Sequence, residues 1–593
     1  MNKYKIPKVN LSIKDPCKNK TKDLSLKTYQ IIPSIHFKKY NSLLLYHSVG
    51  SGKTATAINL IKEYYTSYNV VLFIKAALHK TWLQELELWK FKKLQDLYFY
   101  HYDSINGYNE FINDKRKFKY SKTFYIIDEA HNFINNVYSN NRLNKEEGIG
   151  RQIYEYIYKD MKKASNVKLL LISATPIVNE PYETSIMFNL LRPGCLYDSK
   201  TLFNKEFIKE EKDKLMINNK LEYQKSIKNL ISYYYGAIPN QYAISKIKKV
   251  YIMMSDYQEK IYLYYHLNEL KDPNNWDFYK IFSRQASNFV FPNISKSING
   301  YSRPRPSKYG GETPEFAADI NNHLNSFEKY LNNLNNLDIK NKHTLNDDLH
   351  KASNNFNNIV NLIQHNKSSR LLAALYNSSA KFLSIILRIL KSKGPVIVYT
   401  NFTLVEGIAI MMIYLKYFGF VKYSNKTSKD TKYNNKRFVE YHGMVPHNLR
   451  DYYRDEFNKP DNIKGNLIKI FFVSSAGSEG ITLYNIRQIH ITEPHWNEVR
   501  FQQINGRGIR LCSHKNLPVG ERNVAIYRYL SIDNYDIKHK IPSTDQFLLD
   551  KSTKKEQINN QFLQAIKEIS IDCELNYEHT KFDMNNKGLV CKK

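Results

Sequence analysis

A short loop of glycine and hydroxyl residues follows the first apolar stretch of the chain. The stretch 43–46 reads Leu-Leu-Leu-Tyr, and the loop continues as Ser48, Val49, Gly50, Ser51, Gly52, Lys53 and Thr54. Glycines allow several backbone N–H groups to converge on one phosphate chain, and the helix that opens there presents its positive end. Lys53 adds charge for the β- and γ-phosphates, and the Thr54 hydroxyl suits Mg²⁺. The loop therefore predicts a site for a nucleoside triphosphate with Mg²⁺.

One position departs from the usual form of such a loop, which begins with glycine. This chain has His47 there. An accidental glycine turn before a helix therefore remains an alternative when the loop is considered alone. Upstream, Tyr29 is expected to stack on the adenine while Gln30 hydrogen-bonds to the edge of the base. An ordinary surface helix is the alternative for that pair.

Two adjacent carboxylates follow an apolar segment of strand character at 123–127. They are Asp128 and Glu129, which Ala130 and His131 follow. The carboxyl ends of parallel strands form the edge at which ligands bind in open α/β sheets. We expect Asp128 to hold Mg²⁺ with Thr54, and Glu129 to polarise the attacking water. This pair predicts hydrolysis of the nucleotide.

A third segment ends in small hydroxyl residues that could link the nucleotide site to a moving surface. The apolar run 168–172 leads into Ser173-Ala174-Thr175-Pro176, and Asn179 follows shortly after. The order of phosphate loop, Asp-Glu-Ala-His and Ser-Ala-Thr-Pro resembles the superfamily 2 helicases and translocases. Asn179 after the third motif is similar to the Snf2-like branch. The resemblance implies an α/β fold of two tandem RecA-like lobes with parallel sheets, an ATP site between them, and a nucleic-acid groove across both.

The second lobe of that family contributes a motif of the form QxxGRxxR. Gln503, Arg507 and Arg510 match it without departure. Two arginines three residues apart are expected on one helix face, from which both approach the γ-phosphate. Such charge is worth about 10³ to 10⁵ in the rate of phosphoryl transfer. A solvent-exposed basic helix is the alternative if the first lobe is left out of account.

The composition favours a polyanionic partner and an intracellular protein. Among 593 residues, Lys+Arg 88 against Asp+Glu 56 gives a net charge of 88 − 56 = +32. A bias toward A/T-rich codons is an alternative source of lysine, but it does not explain the shortage of acidic residues. The five cysteines are scattered, which predicts free thiols in a reducing compartment. With no signal-like segment and no run of 18 apolar residues, we expect a cytoplasmic protein without a membrane span.

The pattern of elements divides the chain into five parts. We predict a basic arm at 1–28, lobe 1 at 29–250, a linker and insertion at 251–370, lobe 2 at 371–540 and a helical tail at 541–593. The asparagine-rich tract at 300–366 is expected to be exposed or partly disordered. A pin for strand separation, if the chain has one, would lie within 263–370, where Trp276, Phe278 and Tyr279 are the first candidates. The glycine-rich segment 474–481 resembles the fifth helicase motif, which implies contact with the nucleic-acid backbone.

A narrower resemblance follows from segments beyond the motifs. Residues 511–514 (Leu-Cys-Ser-His), 524–529 (Val-Ala-Ile-Tyr-Arg-Tyr) and 572–574 (Asp-Cys-Glu) are similar to the Snf2-like ATPases of large cytoplasmic DNA viruses. That group includes the poxvirus nucleoside triphosphate phosphohydrolase and early transcription factor small subunit, with a relative on yeast linear killer plasmids, to which the composition is most similar. The resemblance implies an ATP-dependent translocase on duplex DNA that serves a plasmid- or virus-encoded RNA polymerase. An ATP-binding transcription-factor subunit, a motor of a restriction or defence complex, and an RNA helicase are the alternatives.

Overall fold

The computed structural model describes residue 17 and the ranges 25–142, 148–163, 166–212, 214–235, 241–271, 280–292, 303–304, 313–474, 481–580 and 589–592. Three features of the sequence therefore lie outside the described residues. They are nearly all of the basic arm, most of the segment expected to be the fifth motif, and the aromatic group Trp276, Phe278 and Tyr279.

Lobe 1 is a parallel sheet between layers of helices. Its strands are β1 Ser42–His47, β2 Asn69–Ile74, β3 Leu97–His101, β4 Thr123–Ile127, β5 Val167–Ser173 and β8 Ile231–Tyr234, with a small antiparallel pair β6 Ile208–Glu211 and β7 Lys214–Ile217. Its helices are α1 Thr28–Lys39, α2 Lys53–Tyr64, α3 His79–Leu88, α4 Gly107–Asp114, α5 Ala130–Arg142, α6 Ile149–Lys163, α7 Glu183–Leu191, α8 Lys200–Phe207 and α9 Lys220–Ser226. The sheet order is β3-β2-β4-β5-β1-β8.

The strand order explains why the site residues meet. β1, β4 and β5 lie in the middle of the sheet and are buried along their whole length, as expected of apolar strands covered by helices on both faces. Leu45 pairs with Ile172 and Ile127 pairs with Leu171, so the three strands end at one edge. The phosphate loop, the carboxylates and the third motif all leave the sheet at that edge.

Lobe 2 repeats the architecture. Its strands are β10 Val396–Tyr399, β11 Val421–Lys422, β12 Arg437–Tyr441, β13 Ile470–Val473, β14 Gln488–Ile491 and β15 Asn523–Ile532, which β9 Ile244–Met253 joins to give the order β11-β12-β13-β10-β14-β15-β9. Its helices are α15 Arg370–Ser378, α16 Ala380–Leu390, α17 Ile408–Tyr417, α18 Asn425–Ser428, α19 His447–Phe457, α20 Glu498–Gly508 and α21 Asn534–His539. The sequence predicted that lobe 1 ends at 250. Because β9 pairs with β15 along all ten residues, β9 belongs to the sheet of lobe 2, and lobe 1 ends before that position.

The region between the lobes is helical in its described parts. It consists of α10 Asp256–Lys271, α11 Ile281–Asn288, α12 Pro314–Lys340, α13 Leu345–Lys351 and α14 Phe356–Gln364. The asparagine-rich tract was predicted to be exposed or partly disordered. Many of its side chains at 313–366 are exposed, but the segment is mostly helical. Phe316, Ile320, Phe327 and Leu331 recur at helical spacing among the asparagines and are buried against lobe 2.

The C-terminal tail runs from lobe 2 back to lobe 1. Helix α22 Thr544–Glu568 begins at a buried ion pair between Asp545 and Lys381 of lobe 2, 2.8 Å apart. Near its other end, Phe562 packs in the core of lobe 1. Helix α23 Cys573–Thr580 then lies beside β8. One apolar face of the tail is thus buried against lobe 1.

The structure contradicts the prediction that all the cysteines are free thiols. Cys17 is joined to Cys512, and Cys573 is joined to Cys591, in disulfides. Cys195 remains a free thiol. The Cys17–Cys512 pair could not be predicted because residues 495 positions apart in sequence meet only in the folded chain. None of the described helices is both long and apolar enough to cross a membrane.

Candidate nucleotide site between the lobes

The loop after β1 has the backbone that a phosphate site requires. Gly50 and Gly52 have φ angles of +81° and +80°, in the left-handed region that glycine adopts without strain. Lys53 opens α2, and its Nζ donates to the carbonyls of His47 at 3.1 Å and Ser48 at 3.0 Å. Burial lowers the pKa of Lys53, while the nearby Glu129 and Asp128 carboxylates raise it. The lysine is thus held at the start of the loop, beside the two carboxylates.

The structure places Tyr29 and Gln30 against the loop. The Tyr29 hydroxyl donates to Ser51 O at 2.6 Å, and Gln30 Nε2 donates to Gly52 O at 3.1 Å. A face of the Tyr29 ring is stacked on Tyr234, with centroids 3.5 Å apart. In this conformation both side chains brace the phosphate loop. Their contact with an adenine stays a prediction, and it requires these contacts to be exchanged for contacts with the base.

Asp128 ends β4 and is held by an indole. Trp82 Nε1 donates to Asp128 Oδ2 at 2.8 Å, and the Glu129 backbone N–H donates to Oδ1 at 2.8 Å. Burial and the neighbouring Glu129 raise the pKa of Asp128 to about 6. Trp82 is buried in the core, and it also fixes this carboxylate. Helical spacing alone gives no signal of that second role.

Glu129 occupies an unusual backbone position. Its φ angle is +47°, a conformation that costs a non-glycine residue energy and that is concentrated at functional sites. Burial raises the pKa of its carboxyl group, but His131, Lys53 and Arg507 outweigh burial and hold the pKa below its ordinary value. Glu129 is therefore ionised at neutral pH, as a residue that orients water must be.

The third motif is tied to the second through His131 and to helix α7 through Asn179. His131 Nδ1 lies 3.1 Å from Ser173 Oγ and 3.4 Å from Glu129 Oε2. The carboxylate of Glu183 accepts hydrogen bonds from the backbone N–H and the Nδ2 of Asn179. Burial raises the pKa of Glu183 to about 7. Sequence analysis did not single out Glu183, because a lone acidic residue at a helix start is common.

Lobe 2 presents two arginines to this edge. Arg507 and Arg510 both contribute to the electrostatic environment of Lys53. Helix α20 ends at Gly508, so Arg510 lies beyond it and the expectation that one helix face carries both arginines is wrong. Arg510 Nε donates to Gly506 O at 2.9 Å, and its Nη1 donates to Thr482 Oγ1 at 2.5 Å. Burial and Arg507 lower the pKa of Arg510 to about 10, so it remains a cation at neutral pH.

Side chains of the two lobes contact each other beside the nucleotide residues. Gln503 Nε2 lies 3.4 Å from His131 Nε2. Asn497, which caps α20, donates through Nδ2 to Asn179 Oδ1 at 3.2 Å. Asn497 was missed by sequence analysis, since it precedes the arginine motif. These contacts join the Asp-Glu-Ala-His motif, the third motif and the arginine-bearing helix α20 into one site.

The donor set suits magnesium bound to a nucleotide. In the described part of the chain no group of three or more His, Cys, Asp and Glu side chains forms a metal site of its own. Mg²⁺ on a nucleotide requires few protein ligands, because phosphates and waters supply the rest. The two Asp128 oxygens accept the Trp82 and Glu129 N–H groups and retain lone pairs for a metal ion. A divalent cation would also relieve the repulsion between Asp128 and Glu129. Asp128 with the Thr54 hydroxyl would hold the ion, which would neutralise phosphate charge.

Comparisons with known proteins identify the family of the chain. Residues 17–304 match the SNF2-related domain, and residues 381–512 match the helicase conserved C-terminal domain. The chain is 37% identical to the mimivirus protein R350 over 100% of this chain and 78% of that protein. It is 26% identical to R563 of the same virus, Acanthamoeba polyphaga mimivirus, over 97% of this chain and 93% of the relative. Both viral proteins are provisionally named ATP-dependent RNA helicases.

Among solved structures, the Sulfolobus solfataricus SWI2/SNF2 ATPase core in complex with dsDNA is similar over 94% of this chain and 98% of that chain. The identity is 15% and the TM-score is 0.29. The family of the chain follows from the two domain matches and from the viral relative at 37% identity. The chain belongs to the SNF2-related helicases, and it is an ATP hydrolase with two RecA-like lobes.

Proposed function

We propose that the chain is an ATP-driven translocase on nucleic acid, with duplex DNA as the preferred track. The observation that carries the proposal is the convergence of Lys53 and Glu129 of lobe 1 with Arg507 of lobe 2. A site completed from two lobes ties hydrolysis to their closure. Each cycle of closure and opening then changes the grip on a strand that lies across both lobes.

In the proposed cycle, Lys53, Thr54 and Asp128 bind Mg·ATP. Glu129 orients the attacking water, for which its depressed pKa is suited. Arg507 and Arg510 stabilise charge on the transferring phosphate when the lobes close. The contacts of Gln503 with His131 and of Asn497 with Asn179 would form when the lobes close and break when they open.

Charge supports a polyanionic track. The net charge of +32 favours phosphate contacts, and binding through such contacts falls steeply with salt because each one releases about 0.9 counterion on B-DNA. We propose that the chain acts in the cytoplasm, in transcription of a virus-like or plasmid genome, beside an RNA polymerase encoded by that genome. The resemblance to the Snf2-like ATPases of large cytoplasmic DNA viruses, including the poxvirus and killer-plasmid proteins, is the basis for that setting.

RNA unwinding is the second candidate. It is favoured by the names of the two mimivirus relatives, both of which describe RNA helicases. A transcription-factor subunit that only binds ATP is less favoured, since Glu129 and the two arginines are present. A restriction or defence motor is also less favoured, because the sequence has no evident nuclease cluster.

The decisive experiment compares ATPase rates with duplex DNA, single-stranded DNA and RNA side by side. We expect duplex DNA to stimulate most, a triplex-forming third strand to be displaced, and an ordinary blunt duplex to stay paired. Strand separation with stimulation only by RNA or single strands would support the second candidate instead. A binding constant that does not change between low and physiological salt would remove the electrostatic argument.

A further inference from the structure

The residue that departs from the usual phosphate loop is the first member of a buried chain of hydrogen bonds. His47 Nε2 lies 2.8 Å from Ser232 Oγ on β8, and Ser232 Oγ donates to Asp572 Oδ2 at 2.5 Å. The second oxygen of Asp572 accepts the Tyr233 backbone N–H at 2.8 Å. The side chains of His47, Ser232 and Asp572 are all inaccessible to solvent. Sequence analysis left two features unexplained, His47 and the 572–574 segment. They lie at the two ends of this series of hydrogen bonds.

The tail is anchored on β8 around this point. Ile571 N donates to Ile231 O at 2.8 Å, and Asn576 Nδ2 donates to Tyr233 O at 3.0 Å. β8 is the edge strand next to β1, and Tyr234 pairs with His47. Asp572 is therefore separated from the phosphate loop by a single strand, although it lies 525 positions further along the chain.

The direction of each hydrogen bond follows from chemistry. Burial raises the pKa of Asp572 to about 6, so at neutral pH it is a carboxylate and can only accept. Ser232 must then donate to it, which leaves the hydroxyl oxygen to accept from His47 Nε2–H. Burial lowers the pKa of His47 to about 3, so the ring is neutral. His47 is therefore the Nε2–H tautomer, and in the described part of the chain its Nδ1 has no hydrogen-bond partner.

The other side of His47 holds the phosphate-binding lysine. Its backbone carbonyl accepts Lys53 Nζ at 3.1 Å. A ring fixed in position and tautomer fixes the backbone that carries this carbonyl and begins the loop. We propose that Asp572 and Ser232 are positioning residues for ATP: through the His47 ring, the C-terminal tail sets the phosphate loop and Lys53. The tail, which also packs on lobe 2 through Asp545, is thereby a working part of the nucleotide site.

Asp572→Asn is the sharpest test, because asparagine has the shape of aspartate but reverses the donor and acceptor roles along the hydrogen bonds from Asp572 to His47. The amide oxygen must face the Tyr233 N–H, so the NH₂ group faces Ser232, whose hydroxyl then donates to His47 Nε2. The ring becomes the Nδ1–H tautomer with a buried donor that lacks a partner, a costly arrangement that the loop can relieve only by moving. We expect the KM for ATP to rise about tenfold, with a smaller change in kcat. The ¹⁵N resonances of the His47 ring can be measured in ¹⁵N-histidine-labelled protein and are assigned by their absence in His47→Gln. In Asp572→Asn, Nδ1 should take the chemical shift of a protonated ring nitrogen and Nε2 that of an unprotonated one.

Three further variants complete the test. Ser232→Ala interrupts the same chain and should raise KM alike, while Ser232→Ala combined with Asp572→Asn should cost no more than either change alone. Glu574→Gln changes an exposed carboxylate in the first turn of α23, two positions after Asp572, and should behave as the parent. Ser232→Ala carries the test if Asp572→Asn does not fold. The proposal is overturned if KM and the His47 resonances stay at parental values, if the two KM effects multiply, or if only kcat falls in proportion to the folded fraction.

Discussion

Gln503 of lobe 2 and His131 of lobe 1 face each other across the cleft, with 3.4 Å between their Nε2 atoms. His131 also lies 3.1 Å from Ser173 through its other nitrogen. One imidazole thus connects the carboxylate motif, the third motif and the arginine-bearing helix. The contact between His131 and Gln503 therefore depends on how closely the lobes approach, and it involves no nucleic acid.

Replacement of Gln503 by Ala should uncouple the lobes. It removes the partner of His131 and leaves the phosphate loop untouched, so ATP binding should persist. ATPase activity stimulated by nucleic acid should fall about tenfold, the cost of one hydrogen bond between partly buried groups. Gln502→Ala is the matched control, because Gln502 donates to Glu556 on α22 and does not face the cleft. Equal stimulation in the two variants would contradict the role of the contact.

Binding and turnover should separate in lobe 1. Lys53→Ala should abolish both, because the charge for the phosphates is lost, whereas Lys62→Ala on the exposed face of α2 should not. Glu129→Gln should retain ATP binding and lose turnover by about 10² to 10⁴, since only the group that orients water has changed. Equilibrium binding of ATP and phosphate release are the two measurements. Hydrolysis at the parental rate in Glu129→Gln would show that another group orients the water.

The indole that holds Asp128 should affect the requirement for magnesium. Trp82→Phe keeps an aromatic core residue and removes the N–H that Asp128 Oδ2 accepts. Groups that orient a metal ligand typically change metal affinity by 10- to 100-fold, so the Mg²⁺ concentration for half-maximal ATPase activity should rise about tenfold. Trp89→Phe is the control, because Trp89 lies at the end of α3, away from Asp128. An unchanged Mg²⁺ dependence in Trp82→Phe would reduce Trp82 to a packing role.

Sequence alone singled out the candidate site residues that local spacing can identify, and their catalytic roles stay predictions. The phosphate loop, the pair Asp128 and Glu129, and the arginine motif each lie within a dozen residues at a strand or helix end. Trp82 could not be assigned because its partner lies 46 positions away, and Ser232 could not because its partner lies 340 positions away. Patterns of hydrophobicity do not specify such pairings.

The fold shows the same division. The family resemblance implied two RecA-like lobes with parallel sheets, and the structure has both sheets. Strand β9 pairs with β15 at the edge of the lobe 2 sheet, and the tail packs beside β8 at the edge of the lobe 1 sheet. Both arrangements depend on tertiary packing, which the sequence pattern does not specify. The asparagine-rich helices were missed because composition was given more weight than the spacing of a few large apolar residues such as Phe316 and Phe327.

Glu183 should make the stability of lobe 1 depend on pH. Its folded-state pKa of about 7 lies above the ordinary value of 4.5, so between these pH values the folded protein binds more protons than the unfolded chain. The free energy of unfolding should therefore fall as pH rises through this window, by at most about 1.4 kcal/mol per pH unit from this group. Glu183→Gln should remove that slope. The variant should also be less stable throughout, because an NH₂ group would face the N–H donors of Val178 and Asn179.

Urea unfolding at several pH values from 5 to 8 measures the slope. The parent should lose stability more steeply than Glu183→Gln over that range, while Glu222→Gln, whose carboxylate is exposed on α9, should keep the parental slope. Identical slopes in all three proteins would mean that Glu183 titrates near its ordinary pKa. In that case the N–H donors of the third motif, rather than burial, would dominate at Glu183, and the loop that carries Asn179 would be held by a permanent carboxylate at every physiological pH.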